Sequence, residues 1–332
     1  MGGDHGPSVI VPAALKAKQQ HPEAEFHLVG DRDQIAAAIR RSSLPVDEHV
    51  HIHHASEVIG MDEKPSSVVR AKPDASMRVA LNLLREGTAH ACVSAGNTGA
   101  LMALACLIVK TLPGVSRPAI VAELPSHEGH TYLLDLGANI DCSAEDLFTF
   151  AIMGSILRQA IDKQSEPGVA LLNVGEEDIK GNATVKAAAA MLEACPDINY
   201  AGYAEGRDLF TGRFDVVVCD GFTGNNVLKA CEGVTRFLYN EVKAEFNRKW
   251  WHKLAALLVK PVLKSVQHRI NPDQYNGASL LGLREIVVKS HGSANIDGTI
   301  FAINKALVET DQRIPARIGS EIEKLLANRA TA

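Results

Sequence analysis

Short apolar runs rich in β-branched residues alternate along the chain with longer stretches whose apolar residues recur at helical spacing. This alternation is typical of βαβ units built around a parallel sheet. The pattern predicts strands at 25–29, 90–94, 118–123, 131–136, 169–174, 198–203 and 215–219. It predicts helices at 8–20, 74–86, 98–110, 145–161, 182–194 and 224–248.

After about residue 220 the pattern becomes mainly helical, and no long Pro, Gly or Ser linker divides the chain. We therefore predict a single α/β domain over residues 1–332. Its core is expected to be one continuous, doubly wound, mostly parallel sheet between two layers of helices. Residues 247–275 are expected to leave this domain as an amphipathic helical excursion.

Composition narrows the class of protein. The 34 Lys and Arg residues against 39 Asp and Glu residues give a net charge of -5, which argues against a nucleic-acid partner. The six cysteines are far apart, which favours a reducing compartment over disulfides or zinc. No apolar run reaches the roughly 18 residues of a membrane span, and the Gly-rich start is unlike a secretory signal. We expect a soluble protein of the cytoplasm.

Four predicted strands run into loops rich in Gly, Asn and Asp, at 94–100, 135–146, 173–182 and 220–226. Because the carboxyl ends of strands line the ligand crevice of an α/β sheet, we expect these loops to converge at one rim. Glycine lets the backbone approach a ligand, and the start of a helix attracts anions, so a phosphate would suit this arrangement. One such loop alone could equally be an ordinary turn capped by Thr98. The common nucleotide fingerprints are absent, and no cofactor is expected.

Several residues have both a chemical and a plain structural interpretation. Lys180 and Lys229 could neutralise a phosphate or an oxyanion, or could be solvated surface lysines. His291 could give a proton to a leaving thiolate, or serve only in a turn. Cys142 is interpreted as structural, which favours direct transfer without an acyl-enzyme. The histidine-rich segment resembles a metal site, but an exposed edge strand is favoured and no metal is predicted for His49, His51, His53 and His54.

The excursion has two contrasting faces in helical projection. One face carries Lys249, Lys253, Lys260 and Lys264, and the other carries Trp250, Trp251, Leu254, Leu257, Leu258 and Val262. Such a basic amphipathic helix suits the surface of an anionic membrane. The alternative is a helix used for dimerisation or core packing, and Pro261 is expected to kink or split it.

Eight blocks occur in order: MGGDHGPSV, KPDASMRVAL, CVSAGNTGAL, LDLGANIDC, ALLNVGEEDIKGN, VVVCDGFTGNNVLK, DQYNGASLLGL and KSHGSAN. From residue 1 to beyond residue 300 the chain resembles the PlsX family of phosphate acyltransferases. The resemblance implies a fold similar to phosphotransacetylases and isocitrate-dehydrogenase-like proteins, a homodimer, and peripheral association with the inner face of the cell membrane. Family members have a short apolar strand ending in Asp before the first block, so one strand is expected to be missing here.

The resemblance also implies a reaction. A long-chain acyl group would pass from acyl carrier protein to inorganic phosphate, giving an acyl phosphate that a downstream glycerol-phosphate acyltransferase uses in phospholipid synthesis. Within that reaction we predict catalytic roles for Lys180, Asn225, His291 and Asp220. Phosphate binding is predicted for Ser94, Gly96, Asn97, Thr98 and Lys229, and other pocket positions for Asp4, Asp135, Asn139, Glu177 and Gly224.

In this hypothesis the phosphate lies on the loop at 94–100 with Lys180, and Asn225, Gly224 and His291 contact the thioester carbonyl. Asp220 would orient Lys180 or Lys229. Two other classes stay open: a short-chain phosphotransacetylase that uses coenzyme A, and a non-catalytic membrane scaffold.

Overall fold

A computed structural model describes residues 1–127, 129–270 and 272–331, with the side chains at 254, 264–270, 272, 273 and 328–331 left out. The described strands are β1 (Phe26–Gly30), β2 (Val50–His54), β3 (Ala91–Ser94), β4 (Ala119–Ser126), β5 (Gly129–Leu134), β6 (Val169–Leu172), β7 (Tyr200–Ala204), β8 (Val216–Val218), β9 (Ala278–Leu281) and β10 (Ile286–Lys289). The described α-helices are α1 (Pro7–Gln20), α2 (Arg32–Ser42), α3 (Pro65–Ala71), α4 (Ser76–Arg85), α5 (Thr98–Ile108), α6 (Ala144–Asp162), α7 (Ala183–Glu193), α8 (Gly221–Arg248), α9 (Trp250–Ile270), α10 (Ile296–Asp311) and α11 (Ile314–Thr331).

All seven predicted strands and all six predicted helices form, and the α/β fold class is confirmed. The sheet is not continuous, however. An eight-stranded sheet has the order β3-β10-β9-β4-β5-β8-β6-β7, and β1 and β2 form a separate parallel pair. The sequence pattern missed β9 and β10. Both lie in the part of the chain after residue 220, where the pattern is otherwise helical.

The large sheet is mixed, with antiparallel pairs of strands in its middle. β9 is antiparallel to both β10 and β4, and β4 is antiparallel to β5, whereas β3 and β10 are parallel and so are β5, β8, β6 and β7. The loop after β3 therefore follows a strand that runs opposite to β5, β6 and β8. The expectation that all four loops share one rim stays a prediction.

Helices cover both faces of the sheet. On one face, α6, α7 and α11 pack on a core that includes Phe150, Leu157 and Ile318. On the other face, α4 and α5 pack on a core that includes Leu101 and Val287. Helix α6 is long and mostly buried, and its start is fixed by a capping box between Ser143 and Asp146. This is the three-layer arrangement expected of a doubly wound fold.

Exposed helical side chains occur before the predicted excursion at 247–275. The side chains of α8 are exposed from Arg236 to Glu245. The helix α9 continues through Pro261, so the expected split is not seen. Its exposed apolar side chains include Trp250 69%, Trp251 50%, Leu257 65%, Leu258 83% and Val262 64%. Leu254 and Lys264 lie outside the described side chains. Among the described helices, none is long and apolar enough to cross a membrane.

The histidine-rich segment forms β2, which pairs with β1. The rings of His27 and His53 are linked at 2.8 Å between Nδ1 and Nε2, and His27 also stacks on His51. Within the described residues, no group of three or more His, Cys, Asp or Glu side chains is placed to hold a metal ion.

Candidate functional site

Asp135 organises the loop at the carboxyl end of β5. Its side chain is completely buried. One carboxylate oxygen accepts hydrogen bonds from the backbone N–H groups of Ile120 and Ala138, and the other accepts from the backbone and side-chain nitrogens of Asn139, all at 2.7–3.0 Å. Burial raises the pKa of Asp135, and these donors oppose that rise by favouring the charged form. Asp135 and Asn139 therefore hold the loop after β5 in place.

The start of α8 packs directly on this loop. Asp220 caps the helix by accepting hydrogen bonds from the N–H and hydroxyl of Thr223, both at 2.8 Å. A Cβ at Gly224 would lie 1.9 Å from the carbonyl oxygen of Asp135, so only glycine allows this approach. This contact leaves Asn225 exposed. Asn225 lies beside Gly137, where an added Cβ would be 3.4 Å from the Cβ of Asn225. Asp220 thus fixes the helix start. The described hydrogen bonds and ion pairs link it neither to Lys180 nor to Lys229.

The turn after β3 also carries polar residues, and these form hydrogen bonds within the protein. Asn97 caps α5 by accepting from the N–H of Ala100, and its amide donates to the carbonyl oxygens of Gly60, Met61 and Glu63. Asn97, and not Thr98, is therefore the cap. Its amide is occupied by the protein, so it has little capacity left for a phosphate.

Three segments meet around this turn. Ser94 accepts the N–H of Gly96 on its hydroxyl and the N–H of Ser290 on its carbonyl oxygen. The N–H of Asp4 donates to the carbonyl oxygen of Gly292 at 2.8 Å. The N-terminal turn, the turn after β3 and the turn after β10 are thereby joined, and Thr98 is exposed at their rim.

The next residue of the β10 turn, His291, is exposed. The Nδ1 atom of its ring lies 2.8 Å from the hydroxyl of Ser293, and its backbone N–H donates to Asn276. This arrangement agrees with a role in the turn and leaves the Nε2 atom of the ring available.

Lys289 is a residue that sequence reasoning missed. It lies at the end of β10, and its ammonium donates to the carbonyl oxygens of Ala95 and Ser290. Burial lowers its pKa to about 8, helped by the charge of Lys229 and opposed by that of Asp4. The signal in the sequence was its place directly before the His-Gly turn, but without β10 it could not be positioned.

The first turns of α8 carry two exposed polar side chains on one face. Asn225 and Lys229 are four residues apart and so lie on the same face of the helix, one turn from each other. Asn225 lies beside the loop after β5. The candidate site is therefore the polar face of the first turns of α8, together with this loop.

Lys180 and Glu177 lie on the loop after β6, at the same sheet edge as Asn225. Both are exposed. In the described part of the chain, no hydrogen bond or ion pair joins Lys180 to Asn225 or Asn97, and its N–H bonds only to the carbonyl of Glu177. Cys142 is half-buried, and burial raises the pKa of its thiol to about 12, with Asp135 adding to that rise. A thiol with so high a pKa is a poor nucleophile near neutral pH.

Comparison with known proteins identifies the fold and the family. A phosphotransacetylase structure from Streptococcus pyogenes superposes with a TM-score of 0.61 at 16% identity, covering 92% of this chain and 91% of that one. The EutD phosphotransacetylase from Staphylococcus aureus superposes with a TM-score of 0.56 at 15% identity, covering 91% and 89%. At these identities, the likeness shows the fold alone.

Curated relatives are much more similar. A phosphate acyltransferase from Coxiella burnetii is 52% identical over 98% of this chain and 96% of its own length. One from Methylococcus capsulatus is 49% identical over 100% of this chain and 98% of its own length. The family model described as fatty acid synthesis protein matches residues 1–317. This chain therefore belongs to the phosphate acyltransferase family.

Proposed function

We propose that this protein transfers a long-chain fatty acyl group from acyl carrier protein to inorganic phosphate. The observation that carries the proposal is the identity of about half of all residues, over nearly the whole length, with proteins named phosphate acyltransferase. The glycine-rich loop after β5 supports it, because this loop packs on the start of α8 and leaves Asn225 and Lys229 exposed on one face of that helix.

The chemistry needs positioning more than covalent help. An oxygen of phosphate attacks the thioester carbonyl, the new C–O bond forms, and the C–S bond breaks as the carrier thiolate leaves and takes up a proton. Phosphate is itself the nucleophile, so no enzyme nucleophile is needed, in keeping with the raised pKa of Cys142. The protein has to align phosphate with the carbonyl and stabilise the tetrahedral oxyanion.

Asn225 is the proposed oxyanion donor. Its amide is exposed on the first turn of α8, directly beside the close contact between Gly224 and Asp135 that fixes this turn. His291 is proposed to protonate the leaving thiolate through its free ring nitrogen. Lys180, at the same sheet edge as Asn225, is proposed to add positive charge to the developing oxyanion, and Glu177 lies beside it.

The test measures release of free thiol from palmitoyl-carrier protein, with the acyl phosphate trapped by hydroxylamine. We expect release to require phosphate, and Asn225→Ala to lower kcat about 10²-fold or more. Asn226→Ala is the matched control, because that side chain donates to the carbonyl of Phe222 at 2.7 Å on its own helix. Phosphate-independent thiol release, or equal loss in both variants, would contradict the proposal.

Two rival classes are separated by the same assay. A phosphotransacetylase would prefer short-chain acyl-coenzyme A to the long-chain carrier protein substrate. A non-catalytic scaffold would show no turnover, and loss of turnover in Lys180→Ala with the fold intact would exclude it.

The helical arm, defined as α8 from residue 233 onward together with α9, is proposed to serve two contacts. On α8 the exposed apolar residues form a stripe suited to a second copy of the chain, with Val234, Phe237, Leu238, Tyr239 and Val242 on it. On α9 the exposed tryptophans and leucines beside lysines suit peripheral contact with an anionic membrane at the cytoplasmic side. There the acyl phosphate would be handed to a glycerol-phosphate acyltransferase.

A further inference from the structure

The separate strand pair carries an apolar face and a histidine face. β1 and β2 are parallel, with His27 directly opposite His51. Leu28 and Ile52 belong to the apolar core that these strands share with α1 and α2. Because successive side chains of a strand alternate between its two faces, His27, His51 and His53 lie together on the face away from that core.

The three histidine rings are in contact. The Nδ1 atom of His27 lies 2.8 Å from the Nε2 atom of His53. The ring of His27 also stacks on that of His51, with the two centroids 5.0 Å apart. The side chain of His27 is 12% exposed, whereas that of His51 is 43% exposed. The hydrogen bond between His27 and His53 is therefore partly sheltered from water.

This hydrogen bond limits how many protons the two rings can hold. One of the facing nitrogens must donate and the other must accept. A first added proton is tolerated, because a protonated His53 can still donate from Nε2 to the free Nδ1 of His27. A second proton places N–H groups on both facing nitrogens. The hydrogen bond is then lost, and two positive charges lie beside each other.

The nearby charges give little compensation to a doubly protonated pair. The carboxylate of Glu25 lies 3.8 Å from Nε2 of His27 and 3.7 Å from Nε2 of His51, but it is 59% exposed and so acts weakly. Burial lowers the pKa of His27, and the charges of His53 and His51 lower it further. Burial also lowers the pKa of His53, helped by His51 and by Arg32 at the start of α2.

The helices packed on the strand pair carry further charged residues. These are Lys16 and Lys18 on α1, Asp33, Arg40 and Arg41 on α2, and Arg78 and Arg85 on α4. Lys18 pairs with Asp47 at 3.4 Å, and Arg78 donates to a backbone carbonyl of α3. On the pair itself, Nδ1 of His54 accepts the backbone N–H of Arg32 at 3.3 Å. These groups therefore have partners outside the contact between the two rings.

The end of β1 also supports the N-terminal turn. A Cβ at Gly30, the last residue of β1, would lie 2.2 Å from the Cγ of Met1. The hydroxyl of Ser76 donates to the carbonyl oxygen of Met1 at 3.3 Å. The N–H of Asp4 in turn bonds to Gly292 after β10. Loosening of β1 would therefore remove one support of the turn that carries Asp4.

We propose that His27 and His53 form a pH-sensitive lock between β1 and β2, which opens when both rings are protonated. This inference goes beyond the proposed function and does not depend on it. Both rings have a pKa below the ordinary value of 6.5 in the folded protein, so the unfolded chain binds these protons first. The stabilisation is therefore fully present above pH 6.5 and is lost as the pH falls towards the lowered pKa values.

The test measures backbone amide exchange of β1 and β2 at pH 7.5 and pH 5, corrected for the intrinsic exchange rate, with β5 as the internal reference. The wild type is compared with His53→Gln, which keeps a hydrogen-bonding side chain that takes up no proton. His90→Gln is the matched control, because His90 is exposed and lies outside the strand pair.

We expect protection of β1 and β2, relative to β5, to fall about tenfold or more at pH 5 in the wild type and in His90→Gln. In His53→Gln the fall should be less than about threefold. Protection that does not depend on pH in the wild type, or that falls equally in all three proteins, would overturn the proposal.

Titration of the rings in the wild type provides a result that needs no variant. NMR of protein containing ¹³C-labelled histidine follows each ring as the pH is lowered. We expect His27 and His53 to titrate below pH 6.5, as a coupled pair that takes up its protons in two steps. Independent titration of the two rings at pH 6.5 or above would refute the lock.

Discussion

Replacement of Asp135 by alanine tests whether one buried carboxylate holds the loop after β5 against β4. The change removes the acceptor for four N–H groups, contributed by Ile120, Ala138 and Asn139. Because the carboxylate is completely buried, water cannot reach those donors without opening the loop. The variant therefore leaves the beginning of β4 and the loop after β5 without their shared partner.

The magnitude follows from the donors. Each buried donor left unsatisfied costs about 1–3 kcal/mol, so the four together cost about 4 kcal/mol at the low end. Relief of the burial penalty, seen in the raised pKa of Asp135, offsets part of this. We expect Asp135→Ala to lose about 3 kcal/mol or more of unfolding free energy, in the range measured for breaking buried charged networks.

The assay is urea unfolding of the wild type, Asp135→Ala, Asp135→Asn and the control Asp141→Ala. Asp141 is exposed in the same loop, and we expect its replacement to change stability by less than about 0.5 kcal/mol. Asp135→Asn keeps the shape but turns one oxygen into a donor that faces other donors, so it should also destabilise. A loss of less than 1 kcal/mol in Asp135→Ala, equal to that of the control, would refute the reasoning.

Three further predictions follow from single contacts. Gly224→Ala places a Cβ 1.9 Å from the carbonyl oxygen of Asp135 and should cost about 3 kcal/mol or more in urea unfolding, whereas Gly233→Ala, with nothing within 4 Å, should be neutral or slightly stabilising. Burial raises the pKa of Glu309 above its ordinary value of 4.5. The free energy of unfolding therefore falls as the pH rises from 4.5 through the raised pKa of the folded state. Glu309→Gln should therefore raise the thermal midpoint at pH 7.5 but not at pH 4, and a lower midpoint at pH 7.5 would contradict this. Leu258→Glu should weaken sedimentation with anionic vesicles while Val46→Glu should not, and equal binding by both would exclude α9 as the contact.

Much of the molecule was determined by local sequence. Runs of apolar residues identified β5 and β8, and apolar residues recurring about every 3.6 positions identified α6. Each of these elements is long or apolar enough to bury one face or both. The sequence blocks identified the family, and Trp250, Trp251, Leu257 and Leu258, which were predicted to lie on an apolar helix face, are exposed. Each strand, helix or block depends on residues within a few positions of each other, so one chain segment contains the information.

Tertiary structure decided the site. The strands β9 and β10 lie between β3 and β4 in the sheet, so they join strands that are far apart in the chain and set the direction of β3 relative to β5. The bond between Lys289 and Ala95 spans 194 residues, and Asn97 is occupied by carbonyl groups of a loop more than thirty residues earlier. No local pattern encodes such pairings, because they depend on which strands lie side by side once the whole core is packed.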